Sequence, residues 1–380
     1  MRVVVLGAGF GGLELSAGLS ERLGAGVEVV LIDRSEGFVF GFSKLDVLFG
    51  KQTRATVFHP YRDLAKPGVR FVRAEIEAID PVAKVVETDA GTFEGDVLVV
   101  ALGADVDPSA TPGLLEGGHE FYTPEGAFAL RDVLAAFPGG RVVVGVTSTP
   151  FKCPPAPSET ALLLHDYLSD RGLREGSSIA LVMPLPAPIP PSPDASAALL
   201  QAFAERGITW HPDRLVSRLD PEEKVAVFAD GDEMAFDLFL GVPRHRAPKV
   251  VEESGLTSDG WVPVDPHTLE TRFPDVYALG DVASVGTPKA GVFSEGQAAA
   301  VAGLLAARHA GDGGGPGYQG RGVCYLEFGL EQVAKVDVTF RSGSAPTGFL
   351  EGPSEAIAAE KSAFGTSRIR RWFDKDWPDR

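Results

Sequence analysis

A glycine pattern at the amino terminus constrains the fold of this chain more than any other feature. Residues 2–6 (RVVVL) form a continuous apolar run, and GAGFGG follows at residues 7–12. Apolar runs of this length are typical of strands buried on both faces of a parallel sheet. Residues 12–23 are predicted to be helical, and residues 27–32 (VEVVLI) form a second apolar run. The order strand, glycine turn, helix and strand predicts a βαβ unit.

The same turn predicts a dinucleotide site. Gly7 permits a sharp turn, Gly9 lets backbone amides approach a pyrophosphate, and Gly12 lets the helix pack closely on the sheet. Asp33 ends the second strand, where a carboxylate accepts hydrogen bonds from an unphosphorylated adenosine ribose, as in FAD or NAD. The predicted cofactor-binding residues of this segment are Gly7, Gly9, Phe10, Gly11, Gly12, Asp33 and Arg34.

Composition excludes several other classes of protein. The formal net charge of −17 argues against nucleic acid as a partner, because phosphate binding needs a basic face. Two cysteines, Cys153 and Cys324, are too few for a secreted disulfide scaffold, and no spacing of histidines or cysteines typical of a metal site occurs. The sequence also shows no secretory signal and no apolar run long enough to span a membrane, so we expect a cytoplasmic protein.

Two further segments carry a resemblance to a known family. DVLVVALGA at residues 96–104 and PDVYALGDVA at residues 274–283 follow the glycine turn in the family's order. They resemble the second and third FAD motifs of the FAD-dependent pyridine nucleotide–disulfide oxidoreductase superfamily. The resemblance implies FAD as the cofactor, with Asp281 on its ribityl chain. It adds these cofactor-site residues: Lys44, Ala101, Gly103, Gly280, Asp281 and Gly291.

The resemblance also implies the domain organisation. The fold class is α/β, with two Rossmann-like, three-layer ββα dinucleotide-binding domains and a small C-terminal α+β region. We expect a discontinuous FAD-binding domain at 1–105 and 241–312, a second Rossmann-like domain at 106–240, and a C-terminal interface region at 318–380. Within that last region, residues 323–328 and 333–340 are predicted strands, and residues 354–365 are a predicted helix.

The second domain lacks the expected glycine turn. Its first strand is followed by TSTPFKC, and only Gly145 stands where a glycine triplet binds a nicotinamide cofactor in related proteins. Pro150 has no backbone N–H, so close approach of this backbone to a pyrophosphate is disfavoured. We therefore predict a degenerate nicotinamide loop.

Both cysteines lie in segments that resemble one branch of the superfamily. FKCPPAPSE around Cys153 resembles a segment of sulfide:quinone oxidoreductases and of the flavoprotein subunit of flavocytochrome c sulfide dehydrogenase. GRGVCYLEFG supplies Cys324 at the place of that branch's second cysteine. The resemblance implies a redox-active disulfide beside the flavin. The alternative is two inert buried thiols.

Two more residues complete the predicted catalytic set. Glu159, six residues after Cys153, matches a glutamate that moves protons in the related enzymes; the alternative is a helix N-terminal carboxylate favoured by the helix dipole. Lys289 resembles a lysine at the pyrimidine end of the flavin, where a cation stabilises the anionic reduced ring; the alternative is a surface lysine.

The carboxyl terminus departs from the quinone-reducing members, which carry an additional cysteine and amphipathic membrane helices. Here the tail is SRIRRWFDKDWPDR. Two alternatives stay open: its aromatic residues anchor the protein peripherally in a membrane, or they pack at a subunit interface of a homodimer.

The sequence therefore predicts an FAD-dependent sulfide dehydrogenase or sulfide:quinone reductase-like enzyme. It would oxidise sulfide or a related sulfur or thiol species through Cys153 and Cys324 and pass electrons to a quinone or protein acceptor. One alternative is an NAD(P)H dehydrogenase of the type II kind. The other is an FAD-bearing binding protein without catalytic activity.

Overall fold

The computed structural model describes residues 1–312, 314–341 and 343–377. Within these ranges the α-helices are α1 Phe10–Leu23, α2 Ser43–Leu48, α3 Arg54–Val57, α4 Leu114–Gly117, α5 Pro124–Ala136, α6 Ala156–Asp170, α7 Pro193–Glu205, α8 Lys249–Glu253, α9 Gly291–Ala310 and α10 Glu355–Phe373.

The strands of the same ranges are β1 Arg2–Leu6, β2 Glu28–Asp33, β3 Gly37–Val39, β4 Phe58–Pro60, β5 Val69–Arg73, β6 Ile76–Asp80, β7 Val85–Thr88, β8 Gly91–Glu94, β9 Val97–Val100, β10 Asp105–Asp107, β11 His119–Glu120, β12 Arg141–Val146, β13 Ser178–Val182, β14 Ile208–His211, β15 Val216–Asp220, β16 Val225–Phe228, β17 Glu233–Ala235, β18 Leu238–Val242, β19 Arg244–Arg246, β20 Val262–Pro263, β21 Val276–Ala278, β22 Ala283–Ser284, β23 Arg321–Gly329, β24 Gln332–Thr339 and β25 Thr347–Ser354.

The first parallel sheet brings distant parts of the chain together. Its strand order is β21-β9-β1-β2-β5, so a strand from residues 276–278 pairs with one from residues 97–100. Successive side chains of β1 enter two different cores. Val3 and Val5 pack with α1 and α9, whereas Val4 and Leu6 pack with the antiparallel strands β6 and β7. This sheet is therefore covered by helices on one face and by a three-stranded β-meander on the other.

The second parallel sheet repeats this three-layer arrangement. Its order is β11-β18-β12-β13-β14. Val142 and Val144 face the core that contains α6 and α7, whereas Val143 faces the core formed with the meander β15-β16-β17. Continuous apolar runs were expected to be buried on both faces, and both β1 and β12 behave in this way. The α/β fold class with two Rossmann-like sheets is confirmed.

The C-terminal region consists of the antiparallel sheet β23-β24-β25 and the helix α10. The predicted helix at 354–365 is too short, because α10 continues to Phe373. Its inward face places Ile357, Lys361, Gly365 and Ile369 at intervals of four residues, and all four are buried. This spacing keeps one face of the helix on the body of the protein over its length.

The aromatic residues of the tail are buried within their own chain. Trp372, Phe373 and Trp377 are at most 3% exposed, and the indole N–H of Trp372 donates a hydrogen bond to Glu14 at 2.9 Å. These three side chains therefore pack inside their own chain, and the membrane contact and the homodimer stay predictions that would have to use other residues of the tail. Among the described residues, no helix combines the length and apolar character needed to cross a membrane.

Candidate active site

A cavity of about 470 Å³ lies at the carboxyl ends of the first parallel sheet, where open α/β sheets bind their ligands. Most of the residues predicted from the sequence line it. They are Gly7, Gly9, Phe10, Gly11, Asp33, Lys44, Ala101, Gly103, Cys153, Glu159, Gly280, Asp281, Gly291 and Cys324.

Three predicted residues lie outside the cavity lining: Gly12, Arg34 and Lys289. Gly12 instead packs inside the turn, where a Cβ would approach the carbonyl oxygen of Gly7 to 1.9 Å, in agreement with its predicted packing role. The guanidinium of Arg34 lies at the surface and pairs with Glu75 at 3.3 Å. The prediction of Arg34 as a cofactor-binding residue therefore has no support in the geometry.

The glycine turn leaves an open space at the N-terminus of α1. Gly7 has a φ of +97°, and a Cβ there would lie 2.5 Å from the carbonyl oxygen of Ala101. In contrast, a Cβ on Gly9 would meet no atom within 4 Å. The turn is thus closely packed at Gly7 and open towards the cavity at Gly9. An anionic group is favoured at such a helix N-terminus.

Asp33 is held in place by the neighbouring backbone. Its carboxylate accepts hydrogen bonds from the N–H of Ala8 at 2.7 Å and from the N–H of Ser35 at 2.8 Å. The hydroxyl of Tyr61 fixes the same turn by donating to the carbonyl of Ala8 at 2.7 Å. A carboxylate has about four lone-pair sites, so Asp33 keeps acceptor capacity for ribose hydroxyls.

Asp281 offers the cavity a carboxylate oxygen that has no partner in the protein. Its Oδ1 is buried without a hydrogen bond, and burial raises the pKa of this carboxyl, while the lysines Lys152 and Lys289 oppose the rise. Buried polar atoms in native proteins are nearly always satisfied. The hydroxyl of a ribityl chain is the kind of donor this oxygen lacks, so the residues present fit FAD.

Cys153 stands at the entrance to α6 in a constrained backbone conformation. Its φ is +51°, which is uncommon for a residue with a side chain. Its N–H donates to the carbonyl of Lys289 at 2.7 Å, and its own carbonyl accepts from the N–H of Ala156 at 2.9 Å. The thiol is accessible from the cavity. These contacts hold the Cys153 backbone between the third FAD motif and α6.

Cys324 reaches the same cavity from β23, where it lies opposite Val336 of β24. Both thiols are free, so the expected disulfide is not present between them. Removal from bulk water, followed by the neighbouring carboxyl of Glu159, raises the pKa of Cys324 to about 12. The walls of the cavity and the same carboxyl raise the pKa of Cys153 as well, although this residue is exposed to the cavity. Each thiol is therefore protonated at neutral pH, and its reaction as a thiolate needs a proton acceptor.

Glu159 is placed to accept such a proton. It lies in the first turn of α6, is 5% exposed, and accepts a hydrogen bond from the N–H of Glu327 at 3.0 Å. Burial raises its pKa to about 7, although the charge of Lys361 and the hydrogen bond from Glu327 lower it. Both protonation states are thus populated near neutral pH, as general acid–base catalysis requires.

A buried ion pair supports Glu159 from the C-terminal region. Lys361 of α10 pairs with Glu327 of β23, and the two residues are 3% and 8% exposed. The ammonium also lies 4.7 Å from the centre of the Phe42 ring, which lines the cavity. Sequence reasoning missed Lys361, because a lysine in a charged helix has no local signal that distinguishes it from a surface residue.

Lys289 supports the site through its backbone contacts. Its ammonium donates to the carbonyl of Asp281 at 2.6 Å and lies 3.3 Å from the centre of the Trp261 ring. Burial lowers its pKa to about 8. This ammonium therefore contacts the backbone of the third FAD motif, and its predicted place at the pyrimidine end of the flavin stays a prediction.

Two other lysines do face the cavity. Lys44 is half-buried and donates to the carbonyl of Tyr122, and the loss of solvent around its ammonium together with the charge of Lys152 lowers its pKa to about 8. Lys152 lines the cavity beside Cys153. The sequence analysis did not identify Lys152, although its place next to the cysteine was a usable signal.

The end of β12 and the first residue after it pack inside the second domain. A Cβ on Gly145 would lie 2.6 Å from the Phe239 ring, so this glycine serves the contact between strands. The Thr147 hydroxyl donates to the carbonyl of Val242 at 3.1 Å and accepts from the Thr111 hydroxyl at 2.8 Å. The predicted absence of a second glycine cradle agrees with these contacts.

Two three-layer Rossmann-like domains, an open glycine turn in the first of them and an unsatisfied Asp281 carboxylate oxygen define a flavoprotein of the two-domain type. Residues 1–303 match the pyridine nucleotide-disulphide oxidoreductase family, and the chain belongs to it. It is an FAD-binding oxidoreductase.

Individual relatives fall into two groups. The chain is 25% identical over 325 residues to the mitochondrial sulfide:quinone oxidoreductase of Dictyostelium discoideum, covering 80% of this chain and 70% of the relative. It is 28% identical over 305 residues to an NADH dehydrogenase-like protein of Mycobacterium tuberculosis, covering 74% and 73%. Among solved structures, the sulfide:quinone oxidoreductase of Aquifex aeolicus superposes with a TM-score of 0.86 at 22% identity, covering 98% of this chain and 91% of that one.

Proposed function

We propose that this protein oxidises sulfide, or a related persulfide or thiol, with FAD and passes the electrons to a quinone. The observation that carries the proposal is the meeting of two thiols from distant segments, Cys153 and Cys324, in the cavity that begins at the glycine turn. Two thiols at one ligand site are better explained by thiol–disulfide chemistry than by inert packing.

The FAD would be held by residues of the first domain. The open space at Gly9 would take the pyrophosphate, Asp33 the adenosine ribose and Asp281 the ribityl chain. When bound, FAD supplies a two-electron acceptor that can be reoxidised by a second substrate. The chain's own residues supply the sulfur chemistry.

The proposed cycle starts from the oxidised pair. Hydrosulfide attacks one sulfur of a Cys153–Cys324 disulfide, so that a new S–S bond forms while the old one breaks and the second cysteine leaves as a thiolate. When the disulfide re-forms, the bound sulfur leaves in the zero-valent state. That step releases two electrons, for which FAD is the acceptor, and one proton.

Glu159 would accept that proton. Its carboxyl lines the cavity, and its pKa of about 7 lets it take up a proton and lose it again at neutral pH. Because the pKa of each thiol is raised, the cysteine that leaves as a thiolate would take up a proton, which Glu159 must accept again before the disulfide re-forms.

NADH oxidation is the second candidate function. The Mycobacterium tuberculosis relative favours it. The packed loop after β12 disfavours it, because Gly145 and Thr147 are bonded or packed inside the second domain. A quinone acceptor is compatible with either electron donor.

An anaerobic titration of the FAD-loaded protein separates these functions. We expect sulfide to bleach the absorbance band of the oxidised flavin rapidly and NADH to bleach it far more slowly. Cys153→Ser should abolish the bleaching by sulfide. Unchanged bleaching in that variant would refute the cysteine mechanism, and fast bleaching by NADH alone would favour the second function.

A further inference from the structure

Two lysine ammonium groups face the cavity without a carboxylate partner. Lys44 is half-buried, and its ammonium donates a hydrogen bond to the backbone carbonyl of Tyr122. Lys152 lines the cavity beside Cys153, and no hydrogen bond or ion pair joins it to another described residue. The two ammonium groups repel each other, and this repulsion is the second largest cause, after the loss of solvent, of the lowered pKa of Lys44. Two like charges held together in this way are destabilising unless an anion lies between them.

The carboxylates around these lysines are used elsewhere. Glu120 accepts hydrogen bonds from the N–H of Tyr122 at 2.6 Å and from the N–H of Thr123 at 2.9 Å. The Asp281 carboxyl faces the part of the cavity assigned to the ribityl chain. Among the described residues, neither lysine forms a hydrogen bond or an ion pair with a carboxylate, although the charges of Glu120 and Asp281 act on Lys44 from a longer distance.

Tyr122 adds a hydrogen-bond donor to the same wall. It is 3% exposed, it lines the cavity, and its hydroxyl has no hydrogen-bond partner. Burial keeps its pKa well above the usual value, so the hydroxyl stays protonated. The neighbouring His245 has a pKa of about 3, mainly because of burial, and stays neutral. Buried hydroxyl groups in native proteins are nearly always hydrogen-bonded, so this donor needs a partner that the protein does not supply.

We propose that Lys44, Lys152 and the Tyr122 hydroxyl form a subsite for a small monovalent anion beside Cys153. The inference rests on the proposed function, because it makes hydrosulfide, rather than a neutral thiol, the substrate that this wall selects. The two ammonium groups attract the negative charge, and the tyrosine hydroxyl donates to it. The subsite thus concentrates the attacking sulfur next to the accessible cysteine.

The test uses the FAD-loaded protein and thiocyanate, an anion that does not reduce flavin, at constant ionic strength. Binding is followed by the perturbation of the flavin absorbance spectrum. Because hydrogen bonds to charged groups contribute about 1.5–3 kcal/mol, we expect Lys152→Met to weaken thiocyanate binding roughly ten- to hundredfold. Tyr122→Phe should weaken it as well, whereas Lys152→Arg should restore it.

Lys249→Met is the matched control, because it removes the same charge from an exposed lysine that pairs only with Glu253 on its own helix. It should leave thiocyanate binding unchanged. If wild-type protein shows no thiocyanate binding, or if Lys152→Met binds as wild type does, the anion subsite is refuted. This result does not depend on sulfide oxidation, so it is distinguishable from a failure of the proposed function.

Sulfide kinetics and the flavin potential provide the second measurement. In Lys152→Met, the sulfide concentration for half-maximal flavin reduction should rise by the same factor as the thiocyanate dissociation constant. The limiting rate and the flavin midpoint potential should not change. If the flavin midpoint potential shifted while the sulfide concentration for half-maximal reduction stayed the same, Lys152 would act on the flavin and the inference would be wrong.

Discussion

The charge of Lys361 should set the pH at which Glu159 works. Lys361 is buried, and its charge is the largest influence that lowers the Glu159 pKa against the effect of burial. Replacing it by methionine keeps a long apolar side chain and removes the charge. The pKa of Glu159, already about 7, should therefore rise further.

The size of this rise follows from the burial of both groups. An opposite charge within a few ångströms shifts a buried carboxyl by roughly one to two pKa units. Glu159 would then titrate at about 8–9, and its ionised fraction at pH 7 would fall from roughly a half to roughly a tenth or a hundredth. If the ionised carboxylate accepts the proton, flavin reduction by sulfide at pH 7 should slow roughly five- to fiftyfold.

The assay is single-turnover flavin reduction as a function of pH in wild type, Lys361→Met and Glu159→Gln. Ionisation of sulfide itself is common to all three proteins, so their difference reports on the enzyme. We expect the acidic limb of Lys361→Met to move to higher pH with the plateau rate retained. In Glu159→Gln this limb should be lost.

Glu327→Gln provides a control of opposite sign. Its carboxylate raises the Glu159 pKa, whereas its backbone N–H, which survives the substitution, lowers it. The acidic limb should therefore move to lower pH. This variant also separates charge from folding, because both substitutions break the same buried ion pair, while we expect them to move the acidic limb in opposite directions. Shifts in the same direction for both variants, or no shift in either, would refute the role assigned to Lys361.

Three further outcomes follow from the structure. The Glu159 pKa rises from 4.5 to about 7 on folding, so the folded state binds the extra proton and the free energy of unfolding falls as pH increases through this window. In denaturant titrations, the free energy of unfolding of Glu159→Gln should exceed that of wild type by about 3 kcal/mol above pH 7 and match it near pH 4.5. Gly9→Ala should keep the melting temperature of the FAD-free protein but lose FAD retention, whereas Gly7→Ala should lower that melting temperature, because its Cβ would meet Ala101; equal melting temperatures would contradict this. Trp372→Ala should destabilise the protein by about 3–5 kcal/mol in denaturant titrations, since the ring packs in the core, and a loss below 1 kcal/mol would contradict that burial.

Local sequence patterns predicted the central strands β1, β2 and β12 of the two parallel sheets. Apolar runs such as residues 2–6 carry the information that their strands are buried on both faces, and Gly7 and Gly9 mark the turn. Strand β25 was not predicted, because its sequence TGFLEGPS mixes glycine, proline and charge at an edge of the sheet. Edge strands expose one side and need no continuous apolar run.

The site was predicted less completely, because much of it depends on contacts between distant segments. Lys361 is buried only because Glu327 of another element pairs with it, and no local pattern encodes that partner. The sequence did not predict that the ammonium of Lys289 also binds the backbone carbonyl of Asp281. The position of a long side chain is decided by the tertiary contacts available to it, and residue order alone does not specify these.

The central claim is that Cys153 and Cys324, brought together by folding, form one redox pair. Mild oxidation of the FAD-loaded protein, followed by alkylation under denaturing conditions and peptide mass spectrometry, tests it directly. The account predicts loss of both free thiols and one intramolecular cross-linked peptide pair that joins these two residues, reversed by sulfide. The claim would be contradicted if both thiols stayed free after oxidation and were then alkylated, or if cross-links formed only between separate molecules.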